Sequence, residues 1–268
     1  MWSSTLPLLA ASFAGHTYGQ PSEFIYGSTS HHLRVAHTRS AASPPVNWAV
    51  ALFNSFDSMD VIGPLNPLFY AAFSRKLNLA LIAETLDPVY VQPVSDDLNT
   101  QNSSFWLSVN PTHTFDEPPA DIDVLLVPGG PGAQIGNVTK VVEFVRETYP
   151  RVQYLITTCT GSAIAARAGV LDGKRATTNK AAWDMVVTMG PDVKWVSPAR
   201  WTVDGNIWTS SGVTSGLDLI FAFMDEVYGE EVTRRIQGVT EYDRHTDPCD
   251  DPFAEWHGVE PIGDCRVT

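Results

Sequence analysis

Tyr154-Leu-Ile-Thr-Thr-Cys159-Thr160-Gly161-Ser162-Ala163-Ile-Ala-Ala-Arg-Ala-Gly169 decides how this chain folds. Tyr154 to Thr157 reads as a buried strand, and it stops abruptly where a helix of small and apolar residues begins. Cys159, the only cysteine outside the C-terminal tail, sits at the bend. A side chain there projects above the sheet edge, and the first free N–H groups of the helix point at it. Those amides and the helix dipole favour negative charge, so the thiol is expected to ionise below its free value of ~8.5. The ordinary alternative is a buried, inert cysteine. Gly161 and Ser162 leave room around the sulfur, and a second glycine-rich strand end lies upstream; both favour a nucleophile.

Working outward, Asn47 to Phe53, Leu79 to Ala83 and Asp123 to Val127 read as further strands. The first and last are nearly continuous in apolar residues, as in a parallel sheet covered on both faces. Helices are predicted over Leu65 to Phe73, Val138 to Glu147, Leu217 to Tyr228 and Glu230 to Gly238. Val89 to Val94 and Phe105 to Val109 suggest a smaller sheet, followed by a loop in which His113 is expected to be exposed. A short strand is expected after Gly173. Trp195, Trp201 to Val203 and Ile207 to Thr209 supply more strand material around the Asp204-Gly205 turn. The tail after Tyr242 shows no clear element. Strands alternating with helices give a parallel α/β sheet, whose ligands bind at the carboxyl ends of the strands. Asp60, Gly130 and Cys159 each follow such an end. Asp60 alone would be read as a helix N-cap. The glycine turn Pro128-Gly-Gly-Pro-Gly132 lacks the residues of a phosphate loop.

The chain has 268 residues, 44% hydrophobic and 18% charged, enough for one large α/β domain or two small ones. Its formal charge of −13 excludes nucleic acid and anionic membranes as partners, and no run is long enough to span a bilayer. Residues 1–20 resemble a signal peptide, without the usual basic start, and 21–45 read as a leader in which His31 and His32 lack partner ligands. Asn102-Ser-Ser and Asn137-Val-Thr are glycosylation sequons. Cys249 and Cys265 could close a disulfide worth ~3 kcal/mol across an irregular tail, residues 243–268. Together these features point to secretion.

Asp60-Val-Ile-Gly-Pro, Leu126-Val-Pro-Gly-Gly-Pro-Gly132, Thr158-Cys-Thr-Gly-Ser162, Gly173-Lys-Arg-Ala-Thr-Thr178, Asp204-Gly-Asn206 and Ser211-Gly-Val-Thr-Ser-Gly-Leu-Asp218 stand in this order. With them, residues 46–242 resemble the ThiJ/PfpI superfamily, and within it the isonitrile hydratase-like branch. The resemblance implies a flavodoxin-like parallel-sheet sandwich with helices on both faces, like the class I glutamine amidotransferase domain, and a nucleophile elbow. It implies Cys159 as nucleophile, Asp60 as its acid/base partner and Thr160 as a third participant. Gly129, Gly130 and Gly161 become oxyanion and substrate-binding positions, with the amides of Gly130 and Thr160 as donors. A homodimer is also implied.

Two departures bear on the reaction. Protease-like and amidotransferase-like members place His directly after the cysteine; Thr160 stands there instead, which argues against peptide and glutamine hydrolysis. Hydratases of the branch carry His in the stretch where this chain has Thr178-Asn179-Lys180. The expected reaction is hydration of a small isonitrile to a formamide through a thioimidate, with a protonated Asp60 beside Cys159 and no cofactor or metal. The competing readings are a glyoxalase or deglycase on the same pair, and a redox-responsive protein without turnover.

Overall fold

A computed structural model describes residues 43–266. The signal-like segment, His31, His32 and nearly all of the leader lie outside the described residues.

The body is a seven-stranded sheet in the order β10-β11-β7-β6-β1-β2-β5. Its strands are β1 (Asn47–Ala51), β2 (Asn78–Ala83), β5 (His113–Thr114), β6 (Val124–Val127), β7 (Tyr154–Thr157), β10 (Trp201–Asp204) and β11 (Ile207–Ser210). All neighbours run parallel except the β10–β11 hairpin. Every residue of β6 and β11 is buried, so both faces must be covered, which is what their unbroken apolar runs demand. One helical group is α1 (Ser58–Ala71), α6 (Ser215–Tyr228) and α7 (Glu230–Thr240). The other is α2 (Pro131–Ile135), α3 (Thr139–Thr148), α4 (Gly161–Arg167) and α5 (Trp183–Met189). Phe223 of α6 meets Trp48, Tyr154 and Trp208 edge-on and so ties the helix to β1, β7 and β11. Two small pairs complete the body: antiparallel β3 (Val89–Tyr90) with β4 (Ser108–Val109), and parallel β8 (Arg175–Ala176) with β9 (Lys194–Trp195).

The chain runs from β1 to β2 on one side, and β6 lies on the other side of β1. The loops after β1, β6 and β7 therefore open on a single edge at the switch point of the sheet.

Several elements differ from expectation. His113 is not in an exposed loop. It is half-buried in β5, which pairs with β2, because a sheet edge recruits even a short extended segment. The strands expected over Val89 to Val94 and Phe105 to Val109 shrink to two residues each. Helix α1 starts seven residues before Leu65, since Asp57 rather than Asp60 is its cap: the Asp57 carboxylate accepts from Met59 N–H at 2.9 Å. The tail is not irregular throughout. It carries α8 (Phe253–Trp256), and Ser197 and Ile262 exchange backbone hydrogen bonds at 2.8 and 2.7 Å. Cys249 and Cys265 are disulfide-bonded with Cα atoms 5.5 Å apart. Among the described residues, no helix is long and apolar enough to cross a membrane.

Candidate active site

Cys159 follows β7 with φ +55°, a left-handed backbone that a cysteine rarely adopts and that costs about 1–3 kcal/mol. The surroundings hold it there. Its N–H donates to Ser211 O at 3.1 Å, while its carbonyl accepts from Thr178 Oγ1 at 3.1 Å and Ser162 Oγ at 3.2 Å. The turn is thus a strained strand-to-helix elbow clamped from three sides.

Asp60 reaches the elbow from the first turn of α1 and is fully buried. Pro64, four residues on, has no N–H to give the Asp60 carbonyl, and Thr158 Oγ1 takes that place at 3.3 Å. The proline therefore stitches α1 to the residue before the cysteine. Asp60 Oδ2 accepts from Gly129 N–H at 3.0 Å. Oδ1 has no aligned hydrogen bond, and the neighbouring group that interacts with the carboxyl is the Cys159 thiol. Burial, reinforced by the nearby Asp57 charge, pushes the Asp60 carboxyl up to about 8, against the pull of the Gly129 amide and the thiol. Asp60 is a neutral acid at pH 7.

The thiol departs from expectation. Burial, and then the Asp60 charge, raise it well above its ordinary value, although the Thr160 amide and Asn179 pull it down. Cys159 is only 5% exposed, and desolvating a thiolate costs more than the amides of a seven-residue helix return. At rest the pair is therefore a thiol beside a carboxylic acid.

The glycine and threonine positions also take different roles. Gly130 N–H donates to Thr160 Oγ1 at 2.9 Å, and Thr160 Oγ1 donates to Gly130 O at 3.1 Å. This reciprocal clamp occupies both groups, so neither Gly130 N–H nor the Thr160 hydroxyl is free for an oxyanion or a substrate. The Thr160 N–H lies against the sulfur. Gly129 and Gly161 serve close approach: a Cβ on Gly129 would stand 2.4 Å from Thr160 N, and one on Gly161 2.2 Å from Val127 O. Gly161 thus lets the elbow press onto β6 rather than opening space at the sulfur.

In the sequence Asn179 stands out only as the place of a missing histidine, yet it belongs to the site. Its Nδ2 donates to Cys159 Sγ at 3.2 Å, and its Oδ1 accepts from Ala181 N–H at 2.8 Å, which fixes the amide. Two cavities, about 410 and 130 Å³, lie at Arg234, Gln237 and Tyr242 and at Asp121, Asp123 and Arg151; Cys159 lines neither. Asn102 and Asn137 are exposed.

The sequence of residues 48–226 matches the model of the DJ-1/PfpI family. The chain belongs to that family. Among DJ-1/PfpI relatives, an isonitrile hydratase of Pseudomonas putida is 32% identical over 194 residues, 71% of this chain and 76% of the relative. A deglycase of Pyrococcus horikoshii is 34% identical over 140 residues, 52% of this chain and 79% of the relative. A ThiJ/PfpI family protein from Pseudomonas syringae superposes with TM-score 0.63 at 25% identity, covering 80% of this chain and 86% of that one. Drosophila melanogaster DJ-1beta superposes with TM-score 0.60 at 18% identity, covering 74% and 99%.

Proposed function

We propose that this DJ-1/PfpI protein is a cofactor-independent hydratase that adds water to an isonitrile, R–N≡C, and releases the formamide R–NH–CHO. The observation that carries this reading is a neutral Asp60 whose carboxyl interacts with the buried Cys159 thiol, with no histidine among the described residues acting on that thiol. The groups acting on the sulfur are Asp60, Thr160, Asn179 and Asp57. The terminal carbon of an isonitrile is linear, unhindered and able to take both a proton and a nucleophile, which suits a sulfur that is largely buried.

In the first step the Asp60 O–H proton passes to the terminal carbon as Sγ bonds to it, and the thiol proton returns to the carboxylate. The product is the thioimidate R–N=CH–S–Cys159, and Asp60 is again neutral. Water then adds to that carbon while Asp60 gives a proton to nitrogen and takes one from the water. Collapse of R–NH–CH(OH)–S–Cys159 breaks the C–S bond, and the hydroxyl proton returns through Asp60 to sulfur. Thr160 N–H and Asn179 Nδ2 hold charge on the sulfur as it leaves. Two protonated partners make Asp60 a relay through both steps, rather than an acid that ends the first step ionised.

Formation of formamide from a panel of small alkyl and aryl isonitriles, followed by proton NMR, tests the reading. Wild type should turn over and Cys159→Ala should be inert while remaining folded; an active Cys159→Ala chain would end the mechanism. Methylglyoxal in a parallel arm tests the deglycase-type reading that the Pyrococcus horikoshii relative supports. Two further proposals concern the whole chain. Secretion is supported by the Cys249–Cys265 disulfide and the exposed sequon asparagines. A homodimer is supported by the apolar row Met59, Ile62, Phe69 and Phe73, exposed along one face of α1 and the turn after it.

A further inference from the structure

We propose that Lys180 and Asp251 are positioning residues for the Cys159 sulfur, and that the disulfide-closed tail is the brace that holds them. Lys180 adjoins Asn179 and is buried at 3% exposure, where a lysine is rare without a partner. Its ammonium stands 3.0 Å from Thr177 Oγ1, 3.1 Å from Thr178 O, 3.0 Å from Ala199 O and 3.1 Å from Ser211 Oγ. Thr178 and Ser211 are the residues that grip the Cys159 carbonyl and N–H, and Asn179 grips its sulfur. One side chain therefore cross-links the segments that fix the elbow.

The counter-charge comes from outside the sheet. Asp251 Oδ2 lies 2.9 Å from Lys180 Nζ, with both side chains 1% exposed. Asp251 is two residues from Cys249, and the tail is fastened at both ends. Arg200 N–H donates to Pro248 O at 2.6 Å, the Cys249–Cys265 bond closes the loop, and Ser197 pairs with Ile262. Removing Asp251 leaves a buried ammonium unpaired, and burial already draws the Lys180 amine down. The amine then sheds its proton or moves, and the segment carrying Asn179 loses its anchor. The charged and titratable groups acting on the sulfur are Asp60 and Asp57; the one acting on Lys180 is Asp251.

The inference rests on Cys159 being the reactive group, but it is read without any isonitrile, so failure of the hydratase assay leaves it standing. With Cys249 and Cys265 bonded, Cys159 is the single free thiol, and its rate of alkylation by iodoacetamide against pH reports its ionisation. Because Asn179 favours the thiolate, Asn179→Ala should move the profile to higher pH and slow alkylation about fivefold at pH 8. Asp251→Asn should move it the same way, and the Asn179→Ala/Asp251→Asn double variant should move no further than Asn179→Ala alone. The Cys249→Ser/Cys265→Ser chain, which keeps every charged group of the brace, should shift in the same direction and carries the test if Asp251→Asn does not fold. A purely structural ion pair would lower the melting temperature and leave the profile in place. That result, or additive shifts in the double variant, would overturn the proposal.

Discussion

At the scale of single residues, the site turns on a carboxyl that keeps its proton. Asp60 is held at about 8 by burial first and the Asp57 charge second, whereas an unfolded aspartic acid titrates near ~3.9. Between those values the folded chain carries a proton that the unfolded chain has released, so stability falls as pH rises through this window. The change is at most about 6 kcal/mol if the whole difference is expressed. Asp60→Asn has nothing to titrate there, so its denaturant midpoint should fall less than wild type between pH 5 and pH 8. Wild-type turnover should decline above about pH 8 as the relay proton is lost. Equal slopes in the two chains would put the carboxyl in contact with water and remove the relay.

At the scale of elements, the elbow was legible because its signals are local. An apolar run that ends, a cysteine, a glycine and a row of small residues can each be read from neighbouring letters, and Tyr154–Thr157 forms as expected. What could not be read is which groups use up each other's hydrogen bonds. Gly130 N–H satisfies Thr160 Oγ1 across thirty positions, and no local pattern announces such a pairing. The ionisation of Cys159 differs from the sequence expectation for a similar reason: the helix end is visible in sequence, the depth of burial is not. Gly161 shows the same contrast. Its missing Cβ looks like space for a substrate, but the space is filled by Val127 O and Pro128 O, where a Cβ would fall 2.2 and 2.8 Å away. Gly161→Ala should therefore destabilise the fold by about 3 kcal/mol or more. Gly238→Ala, exposed on α7 with nothing within 4 Å of its Cβ position, should stabilise by about 0.5–1 kcal/mol through helix propensity. Chemical denaturation of both variants checks the opposite signs, and a Gly161→Ala chain as stable as wild type would contradict the packing at the elbow.

At the scale of the whole molecule, an acidic body of net charge −13 carries an apolar row that water does not favour. Met59, Ile62, Phe69 and Phe73 are 43, 49, 56 and 78% exposed, and their spacing of three, seven and four residues keeps them on one side of α1. Phe69 packs edge-on against Phe73 and Tyr70, so the rings are already ordered for a partner surface. A second copy presenting the same row would bury it symmetrically. The same self-repelling charge would keep larger aggregates apart. Expression through a secretory host joins this to the proposed compartment: the chain should be recovered from the medium with Cys249 bonded to Cys265, and glycosidase should reduce its mass at Asn102 or Asn137. Light scattering of the deglycosylated material should give twice the single-chain mass, and Phe69→Glu/Phe73→Glu should halve it without changing the circular dichroism spectrum. A wild-type chain that weighs as a monomer at micromolar concentration would leave the row as mere surface. Retention of reduced, unglycosylated chain inside the host would overturn the proposed compartment independently of the dimer.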